Sequence, residues 1–166
     1  GNNQLYFAYF WSEMPDLNYE NPRVKEEIFE AARFWLEEVN VDGFRLDAAK
    51  HIYPDDRPED NHAFWREFRD TMDNIKPDVI LVGEVWSPAE EVAPYLEGLP
   101  ALFNFDLGEA IQRSVLAERD DSLVADLIAT RDYYNAITDE FTDATFITNH
   151  DQNRIMSVVG GDENKA

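Results

Sequence analysis

The sequence predicts an α/β fold in which about four parallel strands alternate with helices. It contains short apolar runs that fit strands and longer segments with apolar residues at helical spacing between them. The crossovers are long enough to return each strand parallel to the one before. A closed (β/α)8 TIM barrel needs eight strands and about 250 residues, whereas this chain has 166. We therefore expect a partial (β/α)8 barrel of four strands with flanking helices, or an open α/β sheet.

The first segment, residues 1–20, is predicted to be an ordered loop. Its aromatic residues are mixed with turn-forming residues and follow neither the helical nor the strand period. A helix is predicted to begin after Asn21, which is a good cap, with Pro22 in the first turn, and to end near Asn40.

Two strands are predicted in the first half of the chain. In residues 43–47 the apolar pair Phe44 and Leu46 shares one face, so Arg45 and Asp47 share the other. Residues 78–84 are nearly continuous in apolar side chains, as in a strand buried on both faces.

The remaining elements continue the alternation of helix and strand. Between the two strands, residues 64–75 carry apolar side chains at helical spacing. A weak helix is predicted over 89–96, a strand over 102–105, a longer helical stretch over 111–137 and a last strand over 144–148.

Three carboxylates favour the barrel over the open sheet. Asp47, Glu84 and Asp151 each lie at or just beyond the carboxyl end of a predicted strand. In a parallel barrel all of these ends open on one face, where catalytic groups collect. An acidic residue at a strand end is also a common helix cap, so spacing alone leaves both interpretations open for each carboxylate.

The residues around two of these carboxylates predict opposite protonation states. Arg45 lies two residues before Asp47 on the same strand face, so its charge should hold Asp47 ionised and positioned as a nucleophile. Glu84 lies between Gly83 and apolar residues, an environment that should raise the pKa of a carboxyl and keep a proton available. Such a pair suits cleavage of a glycosidic bond.

The sequence around the three carboxylates resembles the conserved regions of glycoside hydrolase family 13, the α-amylase family. Its second, third and fourth sequence regions are matched in order, and its fifth region, in the domain inserted after the third barrel strand, is matched near the start of the chain. The matching segments read GFRLDAAKH at 43–51, GEVW at 83–86, FITNHD at 146–151 and MPDLN at 14–18. The resemblance covers almost the whole chain. It implies that residues 1–20 end the inserted domain and that residues 21–166 form half of the catalytic barrel.

The resemblance also implies a role for each matched residue. Asp47 would be the nucleophile, Glu84 the general acid/base and Asp151 the carboxylate that stabilises the transition state. Five further residues would bind substrate: Arg45, Lys50, His51, His150 and Arg154. No cofactor is required for the chemistry, and no side chain is assigned to a metal. In many members the backbone carbonyl at the position of His51 ligates a structural calcium, so calcium is an open expectation for the full-length protein.

One part of the family pattern is missing. The first region, on the third barrel strand, supplies an aspartate and a histidine to the site, and this chain lacks it. Because a transition state needs its carboxylates held to within about 0.5 Å, we expect the fragment alone to be inactive and to depend on the remainder of the barrel.

The charge of the chain limits its partners. With 14 basic and 35 acidic side chains, the net charge is −21. Such a field repels nucleic acid and anionic lipid. No run approaches the roughly 20 apolar residues of a membrane helix, so neither nucleic acid nor membrane is expected as a partner. Because the chain is acidic and the resemblance implies degradation of polysaccharides, we expect an extracellular or periplasmic location rather than a cytoplasmic one.

Four functions remain open from the sequence. The first is a retaining hydrolase acting mainly on α-1,4 links of starch-like glucans or maltooligosaccharides, with α-1,6 links as a further target. The second is a transglycosylase, which shares the same intermediate. The third is a non-catalytic barrel that binds glucan or serves as a scaffold. The fourth is an unrelated α/β enzyme that uses the three acids as metal ligands.

Overall fold

The computed structural model describes residues 5–120 and 122–165. Within these residues four strands form one parallel sheet in the order β1-β2-β3-β4. Their bounds are β1 Gly43–Leu46, β2 Ile80–Gly83, β3 Ala101–Asn104 and β4 Thr142–Thr145. The predicted parallel α/β architecture is confirmed.

Helices connect the strands on one side of the sheet. Their bounds are α1 Pro22–Glu37, α2 Pro58–Ile75, α3 Ala89–Val92, α4 Phe105–Ala117, α5 Leu123–Asn135 and α6 Ile155–Val158, with 3-10 turns at Ala49–His51 and Ala93–Glu97. As predicted, α1 begins after Asn21, whose side chain accepts a hydrogen bond from the backbone N–H of Arg23. No helix in the described part of the chain is both long and apolar enough to cross a bilayer.

The core lies between the sheet and the helices. From α2, Phe64, Phe68 and Met72 are buried, and they belong to the same cluster as Leu81 of β2. The neighbouring Ile80 is 56% exposed. Because successive side chains in a strand point to opposite faces, one face of the sheet is covered by helices while the other is open in this chain.

The last strand begins and ends earlier than predicted. It was expected at 144–148 and spans Thr142–Thr145. Its ladder pairs it with β3 up to the match of Thr145 with Asn104. Asn104 then caps α4 by accepting from the N–H of Leu107, so β3 ends there and offers no partner to a longer β4.

The longer helical stretch expected over 111–137 is two helices, α4 and α5. Glu118 ends α4 with φ 53°, and Ser122 precedes α5 with φ 66°. Left-handed backbone cannot continue a right-handed helix, so the two segments separate although their apolar residues keep helical spacing. The weak helix expected over 89–96 is the short α3 followed by a 3-10 turn.

Candidate active site

Arg45, Asp47 and Glu84 meet at the carboxyl ends of β1 and β2. The Nη1 atom of Arg45 contacts the carboxylate of Asp47, and its Nη2 atom lies 2.7 Å from Oε2 of Glu84. One planar guanidinium therefore joins the two carboxyl groups. The Asp47 side chain is 76% exposed and that of Glu84 only 11%, so the two acids experience different solvent environments.

The backbone after β1 is fixed against Glu84. The N–H of Ala48 donates to the side-chain Oε2 of Glu84 at 3.3 Å, and the N–H of Ala49 donates to the backbone carbonyl oxygen of Glu84 at 2.9 Å. Ala48 adopts a left-handed conformation with φ 44°, which is unfavourable for a residue with a Cβ atom and is found where the surrounding structure imposes it. This turn redirects the chain directly after Asp47.

A buried tryptophan supports the same turn. The indole Nε1–H of Trp65, on α2, donates to the backbone carbonyl of Ala49 at 2.6 Å. Trp65 is 4% exposed and Ala49 is fully buried. The hydrogen bond therefore ties the turn that follows Asp47 to the helix beneath it.

The surroundings raise the pKa of the Glu84 carboxyl. Burial is the main cause, and the neighbouring Asp47 carboxyl adds to it, while the Ala48 N–H and the Arg45 charge act in the opposite direction. The raised pKa expected from the sequence is thus present, but it comes from burial, because the groups that contact the Glu84 carboxyl are the Arg45 guanidinium and the Ala48 N–H. A carboxyl with a raised pKa holds its proton at higher pH and suits the role of general acid.

The side chain of Lys50 extends from the turn after β1 to the segment that follows β2. It lies in the 3-10 turn after β1, and its Nζ donates to Oγ of Ser87 at 2.8 Å and lies 3.3 Å from Oε2 of Glu91. Ser87 and Glu91 both follow Glu84 along the chain. Lys50 therefore links the loop that carries Asp47 to the loop that carries Glu84.

His51 is half-buried and packed against the aromatic loop. The ring of Tyr9 stacks on it with centroids 4.0 Å apart, and the ring of Phe10 contacts it edge-on at 5.5 Å. Oδ1 of Asp55 lies 3.3 Å from its Nδ1, and Oδ2 accepts from the Tyr9 hydroxyl at 3.0 Å. Burial lowers the pKa of the imidazole, which favours the neutral ring.

The other three predicted site residues lie in the loop after β4. His150 and Asp151 are exposed, and Nε2 of His150 lies 3.3 Å from Oδ2 of Asp151. Arg154 donates to the carbonyl of Asn149 at 3.3 Å. Among the contacts of the described residues, none joins this loop to Arg45, Asp47 or Glu84. The reason is topological, because β3 separates β4 from β2 in the sheet.

The described residues gather no metal site. Within 5–120 and 122–165, no group of three or more His, Cys, Asp or Glu side chains is placed to hold an ion. Calcium takes six to eight oxygen ligands. The carbonyl of His51 is a single ligand of this kind, so the described residues do not supply a complete calcium site.

Sequence reasoning missed several residues that support the site. Trp65 resembled one more core residue of an amphipathic helix, and Ser87, Glu91 and Asp55 were indistinguishable from surface residues in so acidic a chain. The positions of Ser87 and Glu91, just after a catalytic strand end, were the available signal. Nothing in the sequence indicated the left-handed backbone of Ala48.

Together, the fold and the site define the class as part of a parallel (β/α)8 barrel in which an arginine joins two carboxyl groups at neighbouring strand ends. The model of the alpha-amylase family, described as "Alpha amylase, catalytic domain", matches residues 1–166. The chain belongs to this family, which confirms the resemblance seen in the sequence.

Three similar proteins illustrate the relationship. Alpha-amylase 3 of Dictyoglomus thermophilum is 48% identical over 161 residues, covering 97% of this chain and 32% of that protein. A cyclomaltodextrinase of Geobacillus thermopakistaniensis is 34% identical over 160 residues, covering 94% of this chain and 25% of that protein. The crystal structure of an α-amylase from H. orenii matches with a TM-score of 0.87 and 42% sequence identity, covering 96% of this chain and 33% of that one. The chain spans about a third or less of the length of these proteins.

Proposed function

We propose that the full-length protein is a retaining glycoside hydrolase. Its substrates would be starch-like glucans or maltooligosaccharides, with α-1,4 links as the main target and α-1,6 links as a secondary one. The observation that carries the proposal is the Arg45 guanidinium, which joins the carboxyl groups of Asp47 and Glu84 at the carboxyl ends of neighbouring strands. Membership of the alpha-amylase family supports the same activity.

The pair of carboxylates suits a double displacement. Asp47, exposed and paired with Arg45, attacks the anomeric carbon and forms a covalent glycosyl intermediate. Glu84, whose pKa is raised by burial, donates its proton to the departing oxygen. Water then releases the sugar from Asp47 while Glu84 takes up the proton, so the anomeric configuration is retained.

The remaining site residues are assigned to substrate binding. In the closed barrel the loop after β4 opens on the same face as those after β1 and β2. Asp151 would then bind sugar hydroxyls and stabilise the transition state, with His150 and Arg154 beside it. Lys50 and His51 would contact the leaving-group side. A structural calcium bound through the His51 carbonyl would draw its other ligands from the remainder of the parent chain.

This chain by itself should be inactive. The sheet has four strands and one open face, and the family's first region is absent. The carboxylates therefore lack the complete shell of supporting residues that catalysis requires. The remainder of the barrel is the partner that the fragment needs.

Incubation of the full-length protein with maltooligosaccharides tests the proposal. A hydrolase releases shorter products, and a transglycosylase also forms longer ones, because a sugar intercepts the same intermediate. A protein that binds maltooligosaccharides and converts none of them would be a non-catalytic barrel, and the hydrolase proposal would be wrong.

We also propose an extracellular or periplasmic location. An enzyme that degrades polysaccharides supplied from outside the cell has to meet them there, and a net charge of −21 favours solubility in a secreted enzyme. Cell fractionation with an antibody against the chain tests this, and recovery in the cytoplasmic fraction alone would contradict it.

A further inference from the structure

The ammonium group of Lys50 is held by two residues that follow Glu84, namely Ser87 in the loop after β2 and Glu91 in α3. Ser87 Oγ accepts from it at 2.8 Å, and Glu91 Oε2 lies 3.3 Å away. The Lys50 side chain is 26% exposed. An ammonium has three N–H donors, and in the described part of the chain two of them are used in this way. The third is available to a ligand.

Under the proposed function, this arrangement is assigned to the leaving-group side of the scissile bond. A general acid has to face the oxygen that it protonates, so residues that follow Glu84 closely are placed to meet the departing sugar. Ser87 and Glu91 follow Glu84 by three and seven residues and bring Lys50 to this segment of the chain. A cavity of about 410 Å³ opens beside it, with Lys50 and Glu91 in its wall.

Without these partners, Lys50 would be a poor ligand for a sugar. Its four-carbon stem carries about 2 kcal/mol of rotamer entropy, which has to be lost when the ammonium is held in one place. Ser87 and Glu91 restrict the side chain before the substrate arrives, and such preorganisation reduces the entropic cost of binding.

We propose that Ser87 and Glu91 are positioning residues that hold the ammonium of Lys50 for the hydroxyl groups of the leaving-group sugar. The inference rests on the proposed function and adds the residues that set affinity on one side of the cleaved bond. Ser87 and Glu91 act through Lys50 and need not touch the substrate themselves.

Two substrates separate this role from a merely structural one. Maltotetraose places a sugar on the leaving-group side, whereas α-maltosyl fluoride has only fluoride there. In the full-length enzyme, Ser87→Ala and Glu91→Ala should each lower kcat/KM for maltotetraose about fivefold, the size of effect expected for one hydrogen bond, mainly by raising KM. The kcat/KM for α-maltosyl fluoride should stay within about twofold of the wild-type value. Ser87→Thr keeps a hydroxyl and should retain the wild-type kcat/KM for maltotetraose.

A matched control is available in an ion pair between α1 and α2. Lys25 of α1 pairs with Glu67 of α2 at 2.8 Å, and Glu67 is 52% exposed compared with 58% for Glu91. Glu67→Ala should leave kcat/KM for both substrates unchanged. Because Glu91 is exposed, Glu91→Ala should fold even if Ser87→Ala does not, and melting temperatures establish which variants are folded.

Three outcomes are distinguishable. Selective loss on maltotetraose supports the proposal. An equal loss on both substrates, or no loss on maltotetraose, overturns it. If the wild-type enzyme cleaves neither substrate, the proposed function itself fails.

Discussion

The Arg45 guanidinium lies 2.7 Å from the Glu84 carboxyl while it also contacts Asp47. Its charge lowers the pKa of Glu84, but burial outweighs it and the net direction is upward. Arg45 therefore has two effects on the site: it positions both carboxyls, and it limits how far the pKa of Glu84 rises.

Replacing Arg45 by methionine should change both the rate and the pH profile. We expect kcat/KM of the full-length enzyme to fall at least about 100-fold, because the carboxyl groups would no longer be held in position and such a misplacement lowers the rate by about this factor. The basic limb of kcat/KM against pH reports the protonated acid of the free enzyme. Because the positive charge lowers the pKa of Glu84, its removal should move this limb to higher pH.

Arg23→Met is the control for this change. Arg23 pairs with Glu27 on the surface of α1 and its side chain is 80% exposed. The control should leave both the rate and the pH profile unchanged. A basic limb that stays in place or moves to lower pH in Arg45→Met would contradict the electrostatic role assigned to Arg45.

Trp65→Phe should weaken the turn that follows Asp47. Phenylalanine keeps most of the buried volume but leaves the carbonyl of Ala49 without its indole donor. An unsatisfied buried group costs about 1–3 kcal/mol, so both the melting temperature and kcat should fall. Trp35→Phe is the matched control, because Trp35 is 49% exposed. Equal behaviour of the two variants would show that the hydrogen bond to Ala49 has no role.

Asp143→Asn should stabilise the protein at neutral and higher pH. Asp143 accepts from Nδ2 of Asn104 at 3.0 Å through Oδ2, while its buried Oδ1 has no hydrogen-bond partner among the described residues. Burial raises the pKa of this carboxyl above that of the unfolded chain. Its stabilising contribution is therefore complete below the unfolded pKa and is lost as the pH rises through the folded pKa.

An asparagine at this position cannot ionise, so it avoids that loss. We expect a melting temperature higher by roughly 1–3 °C at about pH 8 and a smaller difference at about pH 4. Differential scanning calorimetry of the full-length protein measures both. The exposed neighbour Asp139→Asn serves as the control. A gain that is larger at low pH would contradict the assignment.

The number of strands and their parallel direction could be predicted from the sequence because they depend on apolar runs and crossover lengths. Two boundaries could not. The end of β4 depends on Asn104, which leaves the sheet to cap α4, and that is a property of the neighbouring strand. The break between α4 and α5 depends on left-handed backbone at Glu118 and Ser122, residue types that also occur inside helices.

The proximity of Asp47 and Glu84 could be predicted because each follows a strand and lies in a distinctive motif. The supporting residues could not, because their roles depend on contacts between separate loops. Lys50 and Ser87 are 37 positions apart, and Trp65 reaches a backbone carbonyl 16 positions away. The relation of Asp151 to Asp47 depends on closure of a barrel of which this chain forms four strands.

The most direct test is to find where the sugar becomes attached. Glu84→Gln of the full-length enzyme, mixed with α-maltosyl fluoride, lacks the base that activates water and should accumulate the covalent intermediate. Peptide mass spectrometry of the quenched, digested mixture is then expected to find one maltosyl group on Asp47 and none in the companion variant Asp47→Asn. A maltosyl group on another residue, or fluoride release by Asp47→Asn at the wild-type rate, would contradict the account.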